Sequence, residues 1–264
     1  MKPIKIALSG SGFKFPAHIG SIKAILDEGY QPSAYAGTSG GSIIAALLAS
    51  GMNIDELHIL AMTQDWSNML TYNPILLQFE MGLCNGDTLE DWIDQHTQGK
   101  TFADLDIELS IIASDIAGNG EYVFSKATTP NIKISKACRC SASIPFVYTP
   151  VQIEESWLMD GGINDNIPLD HLINDDTPTI GIHLVSNLTR LTPGLHTAFT
   201  IVPRIVEQMM NATENALVKV AELKGNKVVS VDTSFVSGLD RNMSQDICQQ
   251  LYDVGYNSTK QIFK

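Results

Sequence analysis

Basic charge is what this sequence has least of: 17 Lys and Arg stand against 29 Asp and Glu in 264 residues, a formal net charge of −12. Nucleic-acid binding rests on Lys and Arg neutralising phosphates, so the balance argues against that partner. It argues equally against electrostatic attachment to an anionic membrane, and any contact with lipid has to be made by apolar groups. Cysteine is scarce too. Cys84, Cys138, Cys140 and Cys248 form no C-x-x-C pair, and Cys138-x-Cys140 lacks the further ligands of a zinc site. They read as small reduced thiols, and nothing suggests an oxidising compartment. No apolar run has the length of a membrane span, and the opening MKPIKIALSGSG is too short and too broken for a signal peptide. The expectation is a soluble, cytoplasmic chain, at most peripheral to a membrane. Repeats and low-complexity tracts are also missing.

What is present is an ordinary globular composition, 44% hydrophobic and 17% charged. Without a linker, residues 1–264 read as one domain, large enough to bury a core without disulfide or metal. Lys5 to Ser9 is a short apolar strand entering a Gly-rich turn at Gly10 to Gly12. From Ala17, Ile19, Ile22, Ile25 and Leu26 recur at helical spacing up to Gly29. A second strand near Ser33 to Ala36 meets Gly37-Thr38-Ser39-Gly40-Gly41, and SIIAALLAS after it reads as a buried helix. Asn53 is placed to cap IDELHILAMT. Asp87 with Glu90 predicts a capping box for the helix through Trp92. Strands are expected at Leu109–Ala113, Glu121–Phe124, Val151–Ile153, Trp157–Met159, Thr179–Val185 and Val228–Val231. Helices are expected at Ile134–Ser141, Phe199–Leu223 and Ser244–Ile262. Strands alternating with helices predict an α/β fold, a sheet covered on both faces.

Gly37 to Gly41 matches the G-x-S-x-G nucleophile elbow. There a strand turns sharply into a helix, so that the Ser39 hydroxyl projects from the tip and flanking glycines remove side chains that would collide. The helix N-terminus then offers N–H groups and a positive dipole end to a developing oxyanion. The pentapeptide alone is equally an ordinary Gly/Ser helix start. A neutral hydroxyl needs a base. Asp160-Gly161-Gly162 follows the apolar strand through Met159 and would place a carboxylate at a strand end, although D-G-G by itself is also simply a turn. The loop Ser9 to Lys14 is no dinucleotide fingerprint, since Phe15 stands where the third glycine is required. Its backbone N–H groups could serve an anion instead.

Taken together these segments resemble the patatin-like phospholipases. Gly10-Ser11-Gly12-Phe13-Lys14-Phe15 lies where that family has G-G-G-x-[KR]-G, and Ala17-His18-Ile19-Gly20 follows as is typical. Gly37–Gly41 is similar to the family elbow and Asp160-Gly161-Gly162 to its D-G-[GA]. Arg139, Ser141, Ile144 and Pro145 resemble the A-x-R-A-S-x-S-I-P segment between them. The resemblance runs from about Lys5 to Pro168 and, more loosely, to the C-terminal end. It implies a three-layer α/β/α sandwich with a mostly parallel central sheet. It also implies a Ser39–Asp160 dyad without histidine, an oxyanion hole from the N–H groups of Gly10, Ser11 and Gly12, and no metal or organic cofactor. The implied substrate is a lipid or phospholipid ester, cleaved through an acyl-enzyme as by a phospholipase A, lysophospholipase or carboxylesterase. Ser11 and Phe15 depart from the family's glycines, and Pro16 brings no N–H. If the loop needs positive φ at 11 or 15, a side chain there is unfavourable. A weakened member that binds lipid or a protein partner is therefore one alternative, and an acyltransferase another.

A Ser–His–Asp triad is the chemical rival, with His171, His183 and His196 all following the acid in sequence. Ser39 comes after only the second strand, too early for the α/β-hydrolase order. Trp66, Met69, Leu70, Tyr72, Ile75, Leu76, Leu77, Phe79 and Met81 form an apolar stretch of weak periodicity. It reads either as an acyl-chain pocket or lipid-touching lid, or as ordinary core.

Overall fold

The structure is a computed structural model. It describes residues 2–69, 73, 81–118, 120–172, 175–186 and 226–264, with isolated positions 201, 204, 208, 218 and 219. The expected helix at Phe199–Leu223, and Leu70, Tyr72, Ile75, Leu76, Leu77 and Phe79 of the apolar stretch, lie outside the described residues.

The fold is α/β, a mostly parallel mixed sheet with flanking helices. The strands are β1 Lys2–Leu8, β2 Tyr30–Thr38, β3 Gly82–Cys84, β4 Glu108–Asp115, β5 Gly120–Ser125, β6 Phe146–Tyr148, β7 Val151–Ile153, β8 Ser156–Asp160, β9 Thr179–Val185 and β10 Lys227–Asp232. The described helices of eight residues or more are α1 Phe15–Asp27, α2 Gly40–Ala49, α3 Ile54–Thr63, α4 Asp87–His96, α5 Ile134–Ser141 and α6 Gln245–Gln261. In the main sheet β10, β9, β1, β2 and β4 run parallel, while β8, β7 and β5 are antiparallel additions at the β4 side.

Alternation along the strands sorts the two faces. Ile4, Ile6 and Leu8 of β1 point to the larger core, with Ile19, Ile22 and Ile25 of α1 and Ile43, Ile44 and Leu47 of α2. Ala7, Ala34 and Ala36 point to the opposite face, where Ile167, Leu169 and Leu172 cover them and Val218 and Val228 pack alongside. Two glycines let α1 and α6 cross closely: a Cβ on Gly20 would strike the Tyr252 carbonyl, and one on Gly255 the Ala17 carbonyl. Among the described residues no helix is long and apolar enough to cross a membrane.

Asn53 does cap α3, its Oδ1 accepting the N–H of Asp55 at 3.0 Å and of Glu56 at 2.8 Å, with Glu56 closing a capping box. The box expected at Asp87 and Glu90 does not form. Gly86 is the N-cap of α4, at φ 78°, and Asp87 is already inside the helix. The reason is tertiary: the Arg139 guanidinium lies against Gly86 where a side chain would be.

The topology that matters for chemistry is at β4. One edge of its second half is taken by β5, with Val123 opposite Ile112 and Tyr122 opposite Ala113. A strand residue has only two edges, so β2 and β8 share the other, end to end. Thr38, the last residue of β2, is opposite Ile112, and Asp160, the last of β8, is opposite Ala113. β2 runs parallel to β4 and β8 antiparallel, so the two strands run head-on toward each other and their C-terminal ends meet.

Candidate active site

Ser39 follows Thr38 directly, and its backbone is the most unusual in the site. At φ 51° and ψ −127° it lies in a sparsely populated region for a residue with a side chain, a cost of about 1–3 kcal/mol. The surroundings impose that conformation. The Ser141 Oγ accepts the Ser39 N–H at 2.8 Å, and the Ser42 hydroxyl donates to the Ser39 carbonyl at 2.6 Å. A Cβ on Gly37 would collide with Ser42 Cα at 2.6 Å, and one on Gly41 would run into the Leu8 and Ser9 carbonyls. The glycines of the elbow are therefore required by contact with neighbouring backbone.

The Ser39 hydroxyl donates to Asp160 Oδ2 at 2.6 Å. The other carboxylate oxygen, Oδ1, accepts the Gly162 N–H at 2.8 Å, and the Asp160 N–H donates to the Ser143 carbonyl at 3.0 Å. Asp160 is wholly buried and Ser39 nearly so. Burial pushes the Asp160 carboxyl up to about 6, with the Ser39 hydroxyl and Gly162 N–H pulling the other way. A carboxylate with that affinity for a proton is matched to a general base near neutral pH.

The segment between elbow and base ties both halves together. Ser141 is the last residue of α5 and Ser143 lies two residues beyond it, the first holding Ser39 and the second Asp160. Arg139, also buried, donates from Nε to the Asn85 carbonyl at 3.1 Å and from Nη2 to the Thr149 carbonyl at 2.9 Å. Its Nη1 donates to Ser143 Oγ at 2.5 Å. Its guanidinium also lies over the Tyr148 ring, 5.1 Å from the centroid.

The glycine-rich loop packs against the elbow. A Cβ on Gly40 would meet Ser11 Oγ and the Gly12 backbone, so the two turns touch. Gly12 has φ +55° and lies under the Gly238 carbonyl, a position only glycine fits. Neither Ser11 nor Phe15 has positive φ, so the two departures from the glycine pattern carry no backbone strain. Pro16 falls in the first turn of α1, where an N–H would have no intrahelical partner. Among the described residues the N–H groups of Ser11 and Gly12 carry no hydrogen bond. That of Gly10 is engaged with Asn166. Lys14 anchors the loop's far end by donating to Ser186 Oγ and, at 2.9 Å, to Thr233 Oγ1.

The histidines are elsewhere. His171 Nε2 faces Glu121 at 3.2 Å and Asp165 at 3.8 Å. His18 donates from Nε2 to the Ser9 carbonyl at 2.8 Å, and burial lowers it to about 3, so it is neutral. His183 is buried in β9, and His196 lies outside the described residues. No described histidine hydrogen-bonds Ser39.

A narrow apolar cleft, with room of about 30 Å³, opens at Ser39, lined by Phe13, Phe15, Ile43, Leu89, Val147 and Leu239 among others. The described members of the apolar stretch do not line it. Trp66 packs on Phe15 and Trp92, with ring centroids 5.0 and 5.1 Å away, and Met69 is buried with its carbonyl accepting the Tyr148 hydroxyl. Met69 is core, and Trp66, half-buried, packs against the core and borders a separate hollow beside Phe13 and Pro16. The cleft wall comes from the loop before α1, the start of α2, the chain after α5, Leu89 of α4, β6 and Leu239. Sequence reading missed Asn166, Ser143 and the partners of Arg139.

Over residues 6–173 the sequence matches the family described as patatin-like phospholipase. Protein R571 of Acanthamoeba polyphaga mimivirus is 34% identical over 189 residues, covering 67% of this chain and 64% of R571. YqhO of Bacillus subtilis strain 168 is 27% identical over 97% of this chain and 96% of its own length. Among solved structures, VipD from Legionella pneumophila is similar with a TM-score of 0.68 at 15% identity, covering 99% of this chain and 66% of VipD. At that identity the likeness is one of fold. The chain spans just under two thirds of R571 and of VipD.

Proposed function

The chain belongs to the patatin-like phospholipase family, and from that premise we propose that it is a serine lipid acyl hydrolase working through a Ser39–Asp160 dyad. The observation that carries the reading is the 2.6 Å hydrogen bond from Ser39 Oγ to Asp160 Oδ2, made on a strained elbow in a buried site.

In the first step Ser39 Oγ attacks the acyl carbonyl of an ester while its proton passes to Asp160 Oδ2. The carbonyl oxygen, now negative, lies in the loop Gly10-Ser11-Gly12, where the N–H groups of Ser11 and Gly12 are open, and beside the positive end of α2. As the tetrahedral intermediate collapses, the ester oxygen leaves as an alcohol with the proton from Asp160. The acyl group remains on Ser39. Water then attacks the acyl-enzyme with Asp160 again taking a proton, and returning it to Ser39 releases the fatty acid. No histidine and no metal enters these steps.

The apolar lining of the cleft beside Ser39 suits the start of an acyl chain, and with a net charge of −12 the protein meets lipid through apolar contact, transiently at a membrane surface. The test is hydrolysis of p-nitrophenyl esters from two to sixteen carbons by wild type, Ser39→Ala and Asp160→Asn. Turnover that depends on chain length in wild type and is lost in both variants is expected. Turnover surviving Ser39→Ala would sink the reading.

A further inference from the structure

Resting on the hydrolase reading above, we propose that the side chain of Asn166 is the third donor of the oxyanion site, standing in for Gly10. The Gly10 N–H is already used: it donates to the Asn166 main-chain carbonyl and to Asn166 Oδ1, each at 3.1 Å. Because an N–H can only be met by the amide oxygen, this bond also fixes which side-chain atom is Oδ1 and which is Nδ2.

Glycine at position 10 makes the arrangement possible. The point that a Gly10 Cβ would occupy is 3.3 Å from Asn166 Cγ and 3.4 Å from Ser39 Cβ. The same point is nearer still to Asn166 Oδ1, so the carboxamide, oxygen foremost, and the Ser39 side chain flank Gly10 in space that any side chain at 10 would fill. Its flanks are pinned on both sides. The Asp165 carbonyl accepts the Thr38 hydroxyl at 2.8 Å, and Asp165 Oδ1 accepts the Ile167 N–H at 3.1 Å.

Asn166 is only 2% exposed, yet its Nδ2 has no hydrogen bond among the described residues. Buried amides normally satisfy their donors. An unpaired N–H₂ on a buried residue whose carboxamide flanks Gly10 together with Ser39 is the donor we assign to the substrate oxygen. Donation from Gly10 to Oδ1 polarises the carboxamide and strengthens the Nδ2 donor. The donor that the loop gives up at Gly10 therefore returns one residue layer away, through the Asn166 side chain.

Two measurements test this. In the first, Asn166→Asp keeps an acceptor for Gly10 and removes the donor, while Asn166→Ala removes both without adding charge. Both are expected to lower kcat for p-nitrophenyl butyrate by about a hundredfold with KM within about twofold, as loss of one oxyanion donor does. A purely structural role would instead lower Tm or raise KM and be rescued by Asp. In the second, the Asn166 side-chain amide is followed by NMR in ¹⁵N-labelled protein before and after Ser39 is phosphonylated with a p-nitrophenyl alkylphosphonate. A downfield shift of one Nδ2 proton in the adduct is expected. If Ser39 labels but Asn166→Asp keeps wild-type kcat, or the amide does not shift, this inference is overturned and the dyad stands. If wild-type Ser39 neither labels nor turns over ester, the hydrolase reading falls and takes this inference with it.

Discussion

The two strand ends that meet at β4 are strained in different currencies. At the end of β2 the cost is steric: Ser39 is held at positive φ by Ser141, Ser42 and contacts that admit only glycine at 37 and 41. At the end of β8 the backbone is relaxed, with Asp160 at φ −51° and ψ 129°, and the cost is electrostatic. There a wholly buried carboxylate has its proton affinity raised to about 6. On the proposed reading the Ser39–Asp160 pair is held from both sides, sterically at Ser39 and electrostatically at Asp160, and the pH dependence originates at Asp160.

The largest way to break the comparison is to cut the tie between the two halves. Arg139→Ala removes hydrogen bonds from a buried guanidinium to the Asn85 and Thr149 carbonyls and to Ser143 Oγ. Such bonds contribute about 1.5–3 kcal/mol each, so a loss of at least ~3 kcal/mol in urea unfolding is expected. Ester turnover falls with it, because Ser143 holds the Asp160 N–H.

The next effect separates the two currencies. With its folded pKa raised from 3.8 to about 6, Asp160 binds its proton more tightly in the folded chain than in the unfolded one. Its ionisation therefore costs stability as pH rises from about 4 to 6, and the full cost is present above 6. Asp160→Asn is expected to be more stable than wild type at pH 8 by up to about 3 kcal/mol. The gain should shrink toward zero near pH 4, measured by denaturant unfolding across that range. Ser39→Gly relieves the steric strain, about 1 kcal/mol, but also takes the hydroxyl donor away from the buried Asp160 carboxylate. Its gain is therefore expected near pH 4, where Asp160 is protonated, and is lost or reversed by pH 8, the opposite pH trend to Asp160→Asn. A flat response in either variant would erase the distinction.

The smallest effect is at the loop. Ser11 does not have positive φ, so Ser11→Gly brings no relief and only frees the unfolded chain. A loss of about 0.5–1 kcal/mol, with turnover within about threefold, is expected from thermal melts and an esterase assay.

Which features were legible follows from how far apart in sequence their causes lie. The elbow glycines, Ser39 and the Asp160-Gly161-Gly162 turn are local motifs, and most strands and helices announce themselves by period. Ser11 and Phe15 looked like defects because the family pattern has glycine there, and Pro16 because it brings no N–H. The helix start that makes Phe15 and Pro16 acceptable is set by Phe13 bonding Gly238 at 2.8 Å. The capping box at Asp87 failed because Arg139, 52 residues on, fills the space over Gly86. Asn166 was invisible for the same reason: its partner Gly10 is 156 residues away. Nor could any periodicity show that β2 and β8 share one edge of β4, although that single fact brings Ser39 and Asp160 together.

The most direct test of the dyad is the rate at which a fluorophosphonate labels Ser39, followed from pH 4 to 8. With Asp160 as base at about 6, the rate is flat above pH 6.5 and falls about tenfold per unit below about 6, and Asp160→Asn abolishes the fast labelling. A rate independent of pH across that range, or labelling of Ser39 that Asp160→Asn leaves unchanged, would contradict the account.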